Sequence, residues 1–269
     1  MNLCKQLCVK PGDKVRLSEI DPGATLGFKD KDSIKKAFEK NTARLYELQY
    51  RLYAEHQRAL LIVLQALDAG GKDGTIRHVM AHVNPQSCRV TSFKVPSPEE
   101  RDRDFLWRIH KAVPARGEMG IFNRSHYEDV LVVRVHQMVP REVWEARYEQ
   151  INAFEKMLVE SGTRILKFYL HISKAEQKAR FRERLEDASK HWKLSTADFE
   201  ERRHWKDYQA AYEDVFRRCS TPWAPWYIIP SNRKWFRNFV VSDVIVQTLE
   251  AMNPRFPEPT LDISKIVLT

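Results

Sequence analysis

No apolar stretch in this 269-residue chain approaches the roughly 20 residues that a membrane-spanning helix needs. The opening residues, Met1-Asn2-Leu3-Cys4-Lys5, lack the basic and then apolar layout of a secretory leader, so a cytoplasmic protein is expected. Cysteine is sparse: Cys4, Cys8, Cys88 and Cys219 are the four. No second Cys/His pair at metal-site spacing follows Cys4 and Cys8, which argues against a four-ligand zinc site and leaves free thiols as the expectation. Internal repeats and low-complexity segments are absent too. Acidic residues are in deficit, 36 against 45 Lys+Arg, leaving a net charge of +9 that suits a polyanionic partner. Charge alone does not choose among nucleic acid, nucleotides, other phosphate polymers and an anionic membrane surface.

What is present is a globular composition, 43% hydrophobic and 30% charged, in a chain long enough for one full core. Residues 1–30 carry turn signals at Pro11-Gly12 and Asp21-Pro22-Gly23 and read as an irregular arm. From Ser33 to Gln57 apolar residues recur at helical spacing. Ala59–Gln65 is a near-continuous apolar run, the mark of a strand buried on both faces. Further strands are expected at 89–93, 118–122, 165–171 and 226–229. Helical patterns lie near 98–112, 140–161, 174–187, 197–218 and 234–252. Strands alternating with helices predict an α/β, doubly wound, parallel five-stranded sheet flanked by helices. A single domain over 31–258 and a tail at 259–269 complete the expected organisation.

The strongest local signal is Ala66-Leu67-Asp68-Ala69-Gly70-Gly71-Lys72-Asp73-Gly74-Thr75, directly after the first strand and before a helical pattern. Small residues let backbone N–H groups curl round an anion, a lysine reaches phosphate oxygens, and a helix N-terminus adds its dipole. The match to G-x-x-x-x-G-K-[ST] is imperfect, with Ala66 at the first glycine and Asp73 at the hydroxyl position. Carboxylates in a phosphate cradle imply a cation, so Asp68 and Asp73 point to Mg²⁺ (or Mn²⁺) accompanying the phosphates.

Asn123-Arg124-Ser125-His126-Tyr127-Glu128-Asp129 leaves the third strand and is expected beside that loop, at the carboxyl edge of the sheet. Glu128 and Asp129 are candidate metal ligands or positioners of the acceptor phosphate. Ser125 and Glu128 also spell an S-x-x-E capping box, and both roles can coexist. His126 reads as a packed histidine, and Phe93 as a base-stacking aromatic. A basic stretch over 174–193 places Arg180 and Arg184 on one helical side.

These segments together resemble the polyphosphate kinase 2 family. The resemblance rests on Leu64–Gly74, Val90–Pro96, Asp104–Arg108, Phe122–Val130 and Ala224–Pro230, and runs from roughly residue 10 to 258. It implies a P-loop kinase sheet under a mobile helical lid at about 174–200, and Mg²⁺-dependent phosphoryl transfer from inorganic polyphosphate to nucleotides. Other branches carry Asp where this chain has Asn123 and Asn where it has Glu128. The pattern here is similar to the class III branch, which uses nucleoside mono- and diphosphates and regenerates ATP.

On this reading Asp68, Lys72, Asn123, Arg124, Glu128 and Asp129 are the catalytic set, with Asp68, Glu128 and Asp129 holding metal. Polyphosphate is expected on Ala69, Gly70, Gly71, Lys72, Asp73, Gly74 and Thr75, and on Arg180, Arg184, Lys190, Lys193 and Arg202. The nucleotide is expected on Phe93, Arg124, Tyr127 and Arg134. A homo-oligomer, dimer or tetramer, is a further implication of the family. An ATP-dependent nucleotide kinase of the same fold is the first rival. A nucleic-acid-binding module is the second, disfavoured because Asp68 and Asp73 would repel a phosphate backbone; neither nucleic acid nor membrane is an expected partner.

Overall fold

The computed structural model describes residues 3–262 and Ile266, so of the expected tail 263–265 and 267–269 lie outside the described residues. A short helix α1 (Leu3–Leu7) precedes the long α2 (Lys31–Glu55). Then follow β1 (Ala59–Gln65), α3 (Lys72–Val79), β2 (Cys88–Ser92), α4 (Pro98–Arg101), α5 (Trp107–His110) and β3 (Met119–Asn123). Next come α6 (Val132–Val135), α7 (Arg141–Glu160), β4 (Thr163–His171), α8 (Lys174–Glu186), α9 (Thr196–Glu201) and α10 (Trp205–Cys219). The sheet closes with β5 (Trp226–Pro230), followed by α11 (Lys234–Met252).

All strand pairs are parallel, in the order β2-β3-β1-β4-β5. Every residue of β1 is buried. Leu60, Ile62 and Leu64 pack into one core with α2 and α11, whereas Leu61 and Val63 enter another with α7 and α10. The continuous apolar run of β1 thus serves two helical layers at once. Asp30 and Ser33 form a reciprocal capping box that starts α2 two residues earlier than the periodicity indicates.

Three expectations change. The pattern at 98–112 is two short helices: Ser97 and Glu100 cap α4, and an Asp104 turn, whose carboxylate accepts from Leu106 N at 3.0 Å, restarts the chain before α5. The pattern at 197–218 is broken by a 3₁₀ turn at Arg202–His204. The first 30 residues do more than trail as an arm. Cys8 bridges Tyr227 antiparallel, Val9 N donates to Trp226 O at 2.8 Å, and Leu17 is buried, so the segment covers the open edge of β5. All four thiols are free, and among the described residues no helix is long and apolar enough to cross a membrane.

Beneath the carboxyl edge lies a fully buried polar network. Lys167 Nζ of β4 donates to Glu155 Oε2 at 2.6 Å, Tyr127 Oη at 2.8 Å and the Cys219 carbonyl at 2.7 Å. Tyr127 Oη donates to Glu155 Oε1 at 2.9 Å, and the His126 ring stands 3.1 Å from the same oxygen. Burial alone would raise the Glu155 pKa; Lys167 and His126 more than offset it and hold the carboxyl below its usual range. Breaking a buried pair by removing one partner costs about 3–5 kcal/mol, so Lys167→Met is expected to lose that much in urea unfolding. A carboxylate depressed on folding contributes stability above its unfolded pKa and loses it as pH falls through the folded value. The stability gap between wild type and Glu155→Gln is therefore expected to narrow as pH drops below the carboxylate range. A gap that widened there would contradict this sign.

Candidate active site

The carboxyl ends of β1, β2 and β3 open into one cavity of about 1390 Å³. The chain leaves β1 to build β2 and β3 on one side and returns to lay β4 on the other, so β1 is the switch point where an open α/β sheet forms its crevice.

After Gln65 the chain turns through Ala66–Gly71 into α3. Ala69 stands at φ 57°, a left-handed conformation costing a non-glycine residue of order 1–3 kcal/mol. Gly71, at φ 106°, is the N-cap and supplies no side-chain cap. The first-turn amides of α3 and its positive dipole end are thereby left for an anion in the cavity that Lys72, Asp73 and Gly74 line. Thr75 is buried, its hydroxyl donating to Gly71 O at 3.1 Å. Lys72 Nζ curls back to Ala66 O at 2.9 Å. Burial pushes its pKa below the usual lysine range with Arg124 adding to the effect, while Asp68, Glu128 and Asp73 oppose it.

β3 delivers the second set. Arg124, at φ 63°, donates its backbone N–H to Leu64 O at 3.1 Å and so stands over the end of β1. Its Nη2 donates to Asp68 Oδ1 at 3.0 Å, and its Nη1 lies 3.9 Å from Glu128 Oε2. Asn123 Nδ2 donates to Asp73 Oδ1 at 2.9 Å, and Lys193 lies 3.7 Å from the other oxygen of that carboxylate. Asp68, Lys72, Asn123, Arg124 and Glu128 are thus brought together, as their spacing in the sequence predicts. Ser125 caps the following 3₁₀ turn, accepting from Tyr127 N at 3.2 Å, while Glu128 turns to Arg124 rather than closing a capping box.

The segment after β4 lines another part of the cavity. Arg184 (3.6 Å from Asp198), Lys190 (2.8 Å from Asp187) and Lys193 all line it. Arg180 is 5% exposed and its fork is spent on the loop itself: Nη1 donates to Ala69 O and Gly70 O at 2.9 Å, and Nη2 to Ser231 O and Asn232 O. It lines the cavity with its fork already bonded to these carbonyls, so it braces the loop. Arg202 is held by Lys174 O at 2.8 Å and Gln177 Oε1 at 2.7 Å, away from the cavity lining.

Five other expected residues lie outside the cavity lining: Thr75, Glu128, Tyr127, Asp129 and Arg134. Tyr127 is fully buried on Glu155 and Lys167. Arg134 is taken by Asp214 at 2.7 Å and Tyr148 at 3.1 Å. Asp129 pairs with Arg147 at 3.1 Å, and burial still pushes its pKa up to about 6 against the pull of Arg147 and Arg108. A single 3₁₀ turn explains the split, since Glu128 and Asp129 leave it in different directions. Phe93 lines the cavity wall, packed edge-on against Phe122 at 4.9 Å, with only 7% of its surface exposed. The sequence reading missed Lys94, Asp198, Arg237 and Asn238, which also line the cavity. Lys94 adjoins Phe93 and was findable; the α11 residues sit in a largely apolar helix that signals only core.

Among the described residues no group of three or more His, Cys, Asp or Glu side chains is placed to hold a metal. Asp68 and Glu128, both turned to Arg124, supply two carboxylates. That set suits a hard cation such as Mg²⁺, which takes one or two protein carboxylates and completes its shell with phosphate oxygens and water.

The family model described as polyphosphate kinase 2 matches residues 28–257. The chain is 51% identical to an AMP/ADP-polyphosphate phosphotransferase of Meiothermus ruber, over 98% of this chain and 99% of that one. It is 42% identical to an ADP-polyphosphate phosphotransferase of Rhodopseudomonas palustris, over 95% and 93%. The crystal structure of polyphosphate kinase 2 from Arthrobacter aurescens TC1 superimposes with a TM-score of 0.94 at 42% identity, covering 98% of this chain and 94% of that one. The loop after β1, the cluster at the end of β3 and the basic segment after β4 all fall inside the matched span, and the chain belongs to the polyphosphate kinase 2 family.

Proposed function

We propose that this protein transfers phosphoryl groups reversibly from inorganic polyphosphate to nucleoside mono- and diphosphates, AMP and ADP as well as GMP and GDP, in the presence of Mg²⁺. One observation carries the reading. A single cavity runs from Phe93 and Asn123, across the phosphate loop, to Arg184, Lys190 and Lys193, giving a phosphate chain cationic contacts beyond the loop.

A terminal phosphate oxygen of the acceptor attacks the terminal phosphorus of the donor. One P–O–P bond forms, one breaks, and the shortened polyphosphate leaves. The acceptor oxygen is already anionic near neutral pH, with a second phosphate pKa of about 6, so no general base is required. The demand is for positioning and charge neutralisation. The α3 amides and Lys72, released from Ala66 O, hold the donor end. Arg124 lies between donor and acceptor and meets charge developing on the transferred group. Asp68 and Glu128 would hold Mg²⁺, whose bound charge neutralises phosphate oxygens. Arg184, Lys190 and Lys193 exchange Asp198, Asp187 and Asp73 for phosphate and close the cavity to water.

Lys72→Ala and Asp68→Ala are each expected to lower kcat by at least about 100-fold with an unchanged melting temperature. Turnover retained in either variant removes that residue from the mechanism. Lys193→Ala is expected to raise the KM for polyphosphate and leave the KM for ADP nearly unchanged. Polyphosphate or ATP offered as sole donor to AMP and ADP tests the assignment itself: product formed only from ATP would overturn it. Chelation with EDTA is expected to stop transfer and added Mg²⁺ to restore it.

A further inference from the structure

Arg237, in the first turn of α11, is 2% exposed, and its guanidinium lies against the phosphate loop. A Cβ on Gly71 would collide with its Nη1, and one on Gly74 would stand 3.3 Å from its Nη2. The bare backbone at these two glycines is therefore what admits the group to the N-terminus of α3. Nε and Nη2 both donate to Asn238 Oδ1, at 3.0 and 2.8 Å, which fixes the fork. Among the described residues the hydrogen bonds of the Arg237 side chain are those of Nε and Nη2 to Asn238, which leaves Nη1 to the cavity that Arg237 lines. Arg180, beside it, spends its fork on four carbonyls and pairs with Glu176. An arginine serving only the fold would be satisfied in the same way; Arg237 is not.

We propose that Arg237 is a phosphate-binding residue of the donor site, with Nη1 placed to meet an oxygen of the chain held by the loop. Its environment is poor for an unliganded cation. Burial, with Arg180 adding repulsion, depresses its pKa to about 9, and a bound polyanion supplies the missing counter-charge. Asn238 acts through Arg237 as a positioning residue. The inference rests on the donor being a phosphate chain.

The test compares wild type with Arg237→Met and Arg237→Lys, using inorganic tripolyphosphate as the probe, by calorimetry without nucleotide and by melting with and without the probe. Arg237→Met is expected to weaken tripolyphosphate binding about tenfold or more, the scale of a charge-assisted hydrogen bond. It is expected to melt at or above wild type without the probe, because a buried uncompensated charge has been removed. The KM for polyphosphate rises and that for ADP stays within about twofold, the scale below which an effect is near RT. Arg237→Lys keeps the charge but loses the fork, and is expected to bind between the two. Unchanged tripolyphosphate affinity in Arg237→Met overturns the proposal, as does a lowered melting temperature with both KM values shifted alike. Should Arg237→Met not fold, unchanged affinity in Arg237→Lys overturns it. Wild type that fails to bind tripolyphosphate overturns it as well. Wild type that binds tripolyphosphate but transfers nothing to ADP sinks the donor assignment and leaves the calorimetric test of Arg237 intact.

Discussion

The site depends on holding a loop of bare backbone in one shape, and Arg180 does this. Its guanidinium occupies carbonyls of Ala69 and Gly70 on the loop, and of Ser231 and Asn232 after β5. With the carbonyls tied back, the amides at the start of α3 are the groups left for the cavity. On the proposed function the loop binds phosphate through N–H groups, and it then cannot offer its oxygens to the same anion, since the two would cancel. Gln177, from the same helix, takes the Asp68 carbonyl at 2.9 Å and extends the restraint. The helix that follows β4 therefore both lines the cavity and shapes the loop.

Charge balance at the site follows a pattern of loose pairs. Asp68 and Glu128 face Arg124, Asp73 lies near Lys193, and Asp198 lies near Arg184. Burial raises the Asp198 pKa, and Asp68 adds to it. These separations, 3.0 to 3.9 Å across a partly solvated space, are of the kind that contributes little to stability and yields readily to a better counter-ion. The acids that look out of place in a phosphate site keep its cations apart when no phosphate is there. The deep pair Lys167–Glu155 is different in kind: it lies wholly out of water and anchors Tyr127 three residues from Arg124.

Much of the fold was legible because burial leaves a periodic trace. β1 is apolar throughout since both of its faces meet helices, and the alternation of strands and helices leads to the parallel sheet. The loop at 66–75 and the cluster at 123–128 were legible as chemistry because each sits directly after a strand, where the carboxyl edge of a sheet brings such segments together. Within that cluster the directions of individual side chains were not legible. Glu128 and Asp129 are neighbours in sequence, yet one turns to Arg124 and the other to Arg147, and Tyr127 between Arg124 and Glu128 is core.

The sequence by itself determined the α/β architecture, the glycine loop between β1 and α3, and the family, because these depend on local spacing and on the order of motifs along the chain. Only the tertiary structure decided that Arg180 supports the loop and that Arg237 reaches it. Both lie more than 100 residues from Gly71, and what an arginine does is set by which acceptors surround it. Those acceptors are carbonyls and a cavity assembled from distant segments, and no local pattern encodes them.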